Sequence, residues 1–304
     1  MNGKKALVGI RGRLIMSVLI PLVIILTALG AFLTVQVGDI VEELKSETIT
    51  QQVDVAVLEV EKFFNSSFTG AYMTTELNSI VAMVGDVEAN GSAYNCKQSP
   101  VFNSVMSDLQ MVASNLGEGI AVWLVTTENG QLILPPDYIT DPGFDYASRP
   151  WYKLVEANPD KPAVTGAYED VATGNLVVTV AVPVMGSGNS IDAVIGVDIP
   201  IDSLSSTLGN INIGENGYVV AYDLDNNIVY HPSDDMTLVN VADTTFSQEV
   251  KDSVLNSQAL SLMACTEGES ELYGLSKTID GLGWTIFGFM PSDEFMTEQE
   301  AVFS

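Results

Sequence analysis

The sequence has 304 residues, enough for two domains of ordinary size, and 47% of them are hydrophobic, ample for real cores. Acidic residues number 39 against 12 basic ones, and the first 38 positions hold four of the bases (Lys4, Lys5, Arg11, Arg13) and no acid. The negative charge therefore falls entirely beyond residue 38, on a surface that repels phosphate backbones, which excludes nucleic acid binding.

From Leu14 to Gly38 run 25 consecutive uncharged residues. About 20 apolar residues cross a bilayer's hydrocarbon core, so 14–38 is predicted as a transmembrane helix. The basic segment 1–13 stays cytoplasmic, and Asp39, Glu42 and Glu43 emerge on the far side. A signal peptide has a shorter apolar core and a small-residue cleavage site. Here helical periodicity continues through the far end of the run, so an uncleaved anchor is expected.

One long stalk helix is predicted over 39–84, because Val53, Val57, Val60 and Phe64 recur at helical spacing between polar residues. Residues 85–100 read as loop. A second helix is predicted over 100–116, with Phe102, Val105, Leu109, Val112 and Leu116 on one face and Gly117 as its stop.

The texture then turns to strands. Ile120–Thr126 and Gln131–Leu134 flank Glu128-Asn129-Gly130, a hairpin turn. A Pro/Asp/Gly-rich loop over 135–146 leads to a short helix at 148–157, and strands follow near 163–168, 175–183 and 191–198. Antiparallel strands with helices to one side make an α+β domain.

A weaker copy of this plan occupies 211–290. Strands are predicted near 217–222, 228–231, 270–278 and 283–290, with a helix around 246–258. The recurrence of strand, Asn/Asp/Gly turn and strand points to two related modules in series, placed at 85–205 and 206–295. The tail 296–304 is expected to begin a helix directed toward a second membrane segment.

The motifs of common catalysis are missing. There is no GxSxG, no phosphate-binding Walker loop and no GxGxxG after a strand. His231 is the sole histidine, and Cys96 and Cys265 fall in different expected modules with no metal-ligand spacing. No metal site, cofactor or disulfide is expected, and the chain does not read as an enzyme.

The informative stretch is Asp145-Tyr146-Ala147-Ser148-Arg149-Pro150-Trp151-Tyr152. Arg149 is the only arginine beyond residue 13, and guanidinium binds a carboxylate bidentately where lysine cannot. Beside aromatic residues it could cover a small ligand. It could equally pair with Asp141 or Asp145 to pin the loop, with Trp151 in the core. Asp170 stands at a strand end before a turn, and Asp198 closes the apolar run Ala193–Val197. Each is either a turn or cap former or a receiver of an ammonium group.

Taken together, Arg149-Pro150-Trp151-Tyr152, Tyr168-Glu169-Asp170 with Gly174–Thr179, Ile195–Ile199, and Gly217-Tyr218-Val219 followed by Tyr230-His231-Pro232 resemble the double Cache sensor domains of prokaryotic chemotaxis receptors and sensor kinases. The resemblance runs from about residue 40 to 295. It implies a fold of two tandem PAS-like antiparallel-sheet modules and an amino-acid ligand in the membrane-distal one. It further implies that Arg149 and Trp151 hold the ligand carboxylate and that Tyr152, Asp170 and Asp198 hold its ammonium, with Tyr168 nearby. A tyrosine of the family's set falls at about Trp123, a departure that supplies one N–H and more bulk than a phenol and favours a smaller or differently shaped ligand.

The function expected is ligand sensing outside the cytoplasm by a membrane-anchored receptor. Expected partners are a small-molecule ligand (an amino acid or amine), the membrane, a second copy of the chain and cytoplasmic signalling proteins reached through a further C-terminal part. A sensor for a biogenic amine or a small carboxylate is the alternative, with a tethered enzyme or adhesin further off. The module at 206–295 lacks an arginine and a Trp-Tyr pair and is expected to be a spacer without a ligand.

Overall fold

In the computed structural model residues 10–279 and 281–301 are described; residues 1–9 of the basic segment and 302–304 of the tail lie outside them. Helix α1 (Ile10–Thr75) is continuous for 66 residues, about 100 Å at 1.5 Å per residue. It holds the predicted membrane segment and most of the stalk without a break. An 18-residue window of it has a mean hydropathy of 2.7 with none of its residues buried.

Beyond the apolar run one stripe of α1 turns inward. Ile49, Val53, Ala56, Val60, Phe64 and Ala71 are buried at steps of three, four and seven residues, the spacing of one helix face. The helix expected over 39–84 is not single. It ends at Thr75 and resumes as α2 (Asn78–Asn90). The hydroxyls of Thr74 and Thr75 donate to the carbonyls of Gly70 and Tyr72, both at 2.7 Å, which competes with helical bonding. Leu77 is then extended. The expected loop at 85–100 is helix to Asn90, since Ile80, Met83, Val84 and Val87 form a buried stripe that outweighs Gly85. Helix α3 (Phe102–Leu116) ends at Gly117, as its apolar face and glycine stop predict.

The first sheet contains β1 (Ala121–Thr126), β2 (Gln131–Leu134), β3 (Tyr138–Ile139), β4 (Ala163–Val164), β5 (Tyr168–Glu169), β6 (Leu176–Met185) and β7 (Ile191–Pro200). Its order is β3-β2-β1-β7-β6-β4, with β5 also on β6, and every pairing is antiparallel. The strand predicted over 163–168 is two dipeptide strands. Thr165 still donates its N–H to the Thr179 carbonyl at 3.0 Å, and beyond it the Ala167 N–H donates to Asp223 at 2.9 Å. Helix α4 (Pro150–Ala157) covers one side, and α5 (Ile201–Leu208), which sequence reasoning missed, follows Pro200 and buries Ile201, Leu204 and Leu208.

The second sheet contains β8 (Tyr218–Tyr222), β9 (Ile228–Tyr230), β10 (Met263–Glu267), β11 (Ser270–Ile279) and β12 (Trp284–Pro291), in the order β10-β11-β12-β8-β9. β10 was also unforeseen. Helix α6 (Gln248–Leu255) lies in the β9–β10 connection, and α7 (Ser292–Ala301) follows β12. Helix α1 packs on β6 and β7 of the first sheet and on β11 and β12 of the second. Gly288 marks a close approach: a Cβ there would lie 2.4 Å from Val53. Phe64 meets Trp284 edge-on at 5.0 Å. Each sheet thus spends one face on the long helix and leaves the other for something else.

Candidate ligand-binding site

On the first sheet that other face is lined by alternate residues of neighbouring strands. Trp123 of β1 pairs with Gly196 of β7, and Ala121 with Asp198. Thr179 of β6 pairs with Asp198 from the opposite side, and Ala181 with Gly196. Because strand side chains alternate, Trp123, Thr179, Ala181, Gly196 and Asp198 all face the same way. Above them come Trp151 of α4 and the loop that precedes it.

Local chemistry fixes that loop. Residues before proline are driven to extended backbone, and Arg149 (φ −74, ψ 144) is extended immediately ahead of Pro150, which opens α4. The loop is tied to the β1–β2 turn: the Gly143 and Phe144 N–H groups donate to the Asn129 and Gly130 carbonyls, both at 2.7 Å. The Tyr146 hydroxyl donates to the Thr127 carbonyl at 3.1 Å.

A pocket forms here, lined by Trp123, Leu132, Leu134, Phe144, Arg149, Trp151, Tyr168, Asp170, Val171 and Asp198. Six of the seven residues singled out from the sequence are among them. Tyr152 is not. One position along a helix from Trp151, it is rotated away, and its ring packs on Tyr146 at 4.7 Å. Leu132, Leu134, Phe144 and Val171 went unforeseen, as did Thr179 behind the pocket. They arrive through strand register and loop docking, for which single residues carry no signal.

The charges are arranged unequally. Arg149 makes no ion pair among the described residues, and its Nε is buried without a hydrogen-bond partner. Its guanidinium carbon lies 5.6 Å from the centre of the Tyr168 ring, within cation–π range. It does not pin the loop through Asp145, whose carboxylate takes the Ser148 N–H at 3.3 Å. Asp170 does serve its turn, accepting the Thr173 N–H at 2.8 Å and the Thr173 hydroxyl at 2.7 Å on one oxygen. It also lines the pocket, so the two readings of this residue coexist.

Asp198 is 4% exposed. The Thr179 hydroxyl donates to it at 2.6 Å, and the Tyr168 hydroxyl is 2.7 Å from that of Thr179, a relay ending on the carboxylate. Burial pushes the Asp198 carboxyl up to about 7, and Asp170 adds repulsion. The Thr179 hydroxyl, the Trp123 indole N–H and the Arg149 charge act in the opposite direction. A buried, reluctant anion and an unpaired guanidinium thus border one pocket. That arrangement suits a small molecule carrying both charges, because each leaves the other's partner satisfied.

The equivalent face of the second sheet is closed by aromatic packing. Phe287 and Phe289 stack at 5.2 Å, Phe246 stacks on Phe289 at 5.2 Å, and Tyr222 meets Phe287 edge-on at 6.0 Å. His231 contacts Glu267 at 3.1 Å, and this partner draws the Glu267 carboxyl below its ordinary range. Cys96 and Cys265 are both buried and free.

A family described as Cache domain matches residues 38–299. A probable methyl-accepting chemotaxis protein of Bacillus thuringiensis subsp. konkukian is 25% identical over 241 residues, covering 75% of this chain and 34% of that protein. The chain therefore spans about a third of that relative's length. The sensory domain of the Campylobacter jejuni chemoreceptor Tlp3, solved with isoleucine bound, aligns with a TM-score of 0.63 at 17% identity, over 85% of this chain and 97% of that one. The ligand-binding domain of the Pseudomonas fluorescens chemoreceptor CtaA in complex with L-isoleucine does so with a TM-score of 0.63 at 18% identity, over 86% and 98%. At these identities the likeness establishes a common fold.

Proposed function

The chain belongs to the Cache-domain family, and from that membership we propose that it is the extracytoplasmic sensing region of a membrane-anchored receptor of the chemotaxis class, whose first sheet binds an amino acid. The observation that carries this reading is Arg149, whose buried Nε has no partner, in the same pocket as the buried carboxylate of Asp198. Arg149 and Trp151 take the ligand carboxylate; Asp198 and Asp170 take its ammonium. Tyr168 supports Arg149 through its ring, and Tyr152 supports Trp151, whose ring centre is 6.1 Å away. An amine alone would leave Arg149 without a counter-ion, and a carboxylic acid alone would leave Asp198 without one. The chain acts by binding rather than by catalysis, and the second sheet acts as a spacer.

The signal has a material route. Helix α1 runs without interruption from beside the first sheet to the apolar segment that we place in the membrane. Helix α7 is clamped where it begins: the Lys45 ammonium donates to the Glu294 carbonyl, and the Glu294 carboxylate takes the N–H groups of Glu215 and Asn216 at 2.7 and 2.9 Å. Ligand binding that favours one position of the first sheet over another shifts α1 relative to α7, and a difference in affinity between the two states suffices. A second copy packs along the outer side of α1, where Leu58 and Met73 are 60% and 67% exposed beside Met111 of α3. Cytoplasmic signalling proteins receive the output, as in chemotaxis receptors.

Thermal unfolding of the chain in detergent micelles, with α-amino acids, primary amines and small carboxylic acids each added singly, tests this reading. A ligand at about 100 times its dissociation constant stabilises by about 2.7 kcal/mol. Stabilisation by an α-amino acid, with none from its decarboxylated or deaminated counterpart, is expected. Equal stabilisation by either counterpart refutes the zwitterion.

A further inference from the structure

Trp123 is held on three sides. Gly196 lies across from it on β7, and a Cβ on that glycine would lie 2.0 Å from the indole. Position 196 therefore admits the ring only as glycine, at the cost of a strand residue without a side chain to pack. The Trp151 ring stands 4.6 Å away on the other side. The indole N–H lies toward Asp198 and favours its ionised form. A ring so fixed has little freedom to swing aside for a ligand.

The space left is small. The pocket bounded by Trp123, Arg149, Tyr168, Asp170 and Asp198 encloses about 10 Å³, room for about one water. Any amino acid therefore enters only by displacing part of the wall, and the indole, packed on both faces, is the part least able to yield. Asp198 already receives the Thr179 hydroxyl and has the indole N–H beside it. An ionised carboxylate has about four acceptor positions, so an ammonium can use the remainder with the indole in place. A side chain leaving the α-carbon over the sheet toward the wall of Leu132 and Leu134 on β2 meets the indole of β1 on its way.

We propose that Trp123 is a specificity-determining residue that limits the ligand to the smallest zwitterions, α-amino acids whose side chain is a hydrogen or a methyl group. This rests on the reading of the pocket as an amino-acid site and narrows it. A wall that does not yield discriminates one surplus methylene by about tenfold or more, and branched side chains exceed the limit by two or three carbons.

The test is isothermal titration calorimetry of the full chain in detergent micelles with glycine, L-alanine, L-valine and L-isoleucine. The wild-type chain is expected to bind glycine or L-alanine at least about tenfold tighter than L-valine and L-isoleucine. Trp123→Ala is expected to reverse the order, gaining about tenfold or more for the branched pair. Should that variant fail to fold, Trp123→Tyr carries the test: it keeps a single ring over Gly196 and is expected to raise the valine-to-glycine affinity ratio. Tight L-isoleucine binding by the wild-type chain, or an order unchanged in a folded variant, overturns the size limit while leaving amino-acid sensing intact. Binding of an amine or a carboxylate with no amino acid bound overturns the underlying reading and the size limit with it.

Discussion

Acidification should weaken amino-acid binding through Asp198. Its carboxyl is pushed up to about 7 by burial, yet it must be ionised to hold an ammonium group. Below that value each bound ligand must first displace a proton, so affinity falls about tenfold for each pH unit lost. At about pH 5.5 binding should be roughly 30-fold weaker than at about pH 8. Asp170 and Arg149 border the same pocket and set the height of the curve. The same linkage acts on folding with a definite sign. An unfolded aspartate ionises near 3.9, so the folded state holds this proton longer, and stability is lost as pH rises from about 4 to about 7. The loss amounts to roughly 4 kcal/mol in the unliganded chain. Calorimetry across this range in two buffers of different ionisation enthalpy would register both the affinity and the proton released. Asp198→Asn should bind weakly with a flat profile and should unfold at a higher temperature than the unliganded wild type at about pH 8. A wild-type affinity unchanged between about pH 5.5 and 8, or a slope retained in Asp198→Asn, would refute the reasoning.

Two further outcomes follow from the fold. Asp223, 1% exposed, accepts the N–H groups of Ala167, Asp225 and Asn227, all at 2.9 Å, and so joins the two sheets; Asp223→Ala should cost about 3 kcal/mol in urea unfolding, and a loss under about 0.5 kcal/mol would contradict the bonding described. The full chain should fractionate with membranes and remain there after a high-salt wash, because apolar burial rather than charge holds it; release by salt alone would contradict the anchor.

What the sequence disclosed, it disclosed through residues that are odd where they stand. Arg149 is conspicuous as the only arginine beyond residue 13, and Asp198 because it ends an apolar strand. The structure brings both into one pocket. Trp123 was placed there only by the family pattern, and its partner Gly196 looked like any glycine in a strand until β1 and β7 were paired in register. Thr179 and Phe144 were illegible for the same reason, since strand register and loop docking are long-range choices. Tyr152, named through the family pattern, lies outside the pocket lining, because a helix turns successive side chains apart. The stalk broke at Thr75 where two threonine hydroxyls back-bond, a competition that apolar spacing does not report. Helix α5 was missed because its eight residues follow a strand directly, though Ile201, Leu204 and Leu208 carry a helical spacing.

The central claim is that Arg149 holds a ligand carboxylate, and calorimetry on Arg149→Ala tests it most directly. Each charge-assisted hydrogen bond is worth about 1.5–3 kcal/mol, so losing a bidentate pair should weaken amino-acid binding by about a hundredfold or more while the unfolding midpoint of the unliganded chain barely moves. Arg149→Lys should restore little, because a point charge cannot reproduce the planar fork. Unfolding of the unliganded Arg149→Ala chain, or amino-acid affinity left unchanged by the substitution, would contradict the account and make Arg149 a structural residue.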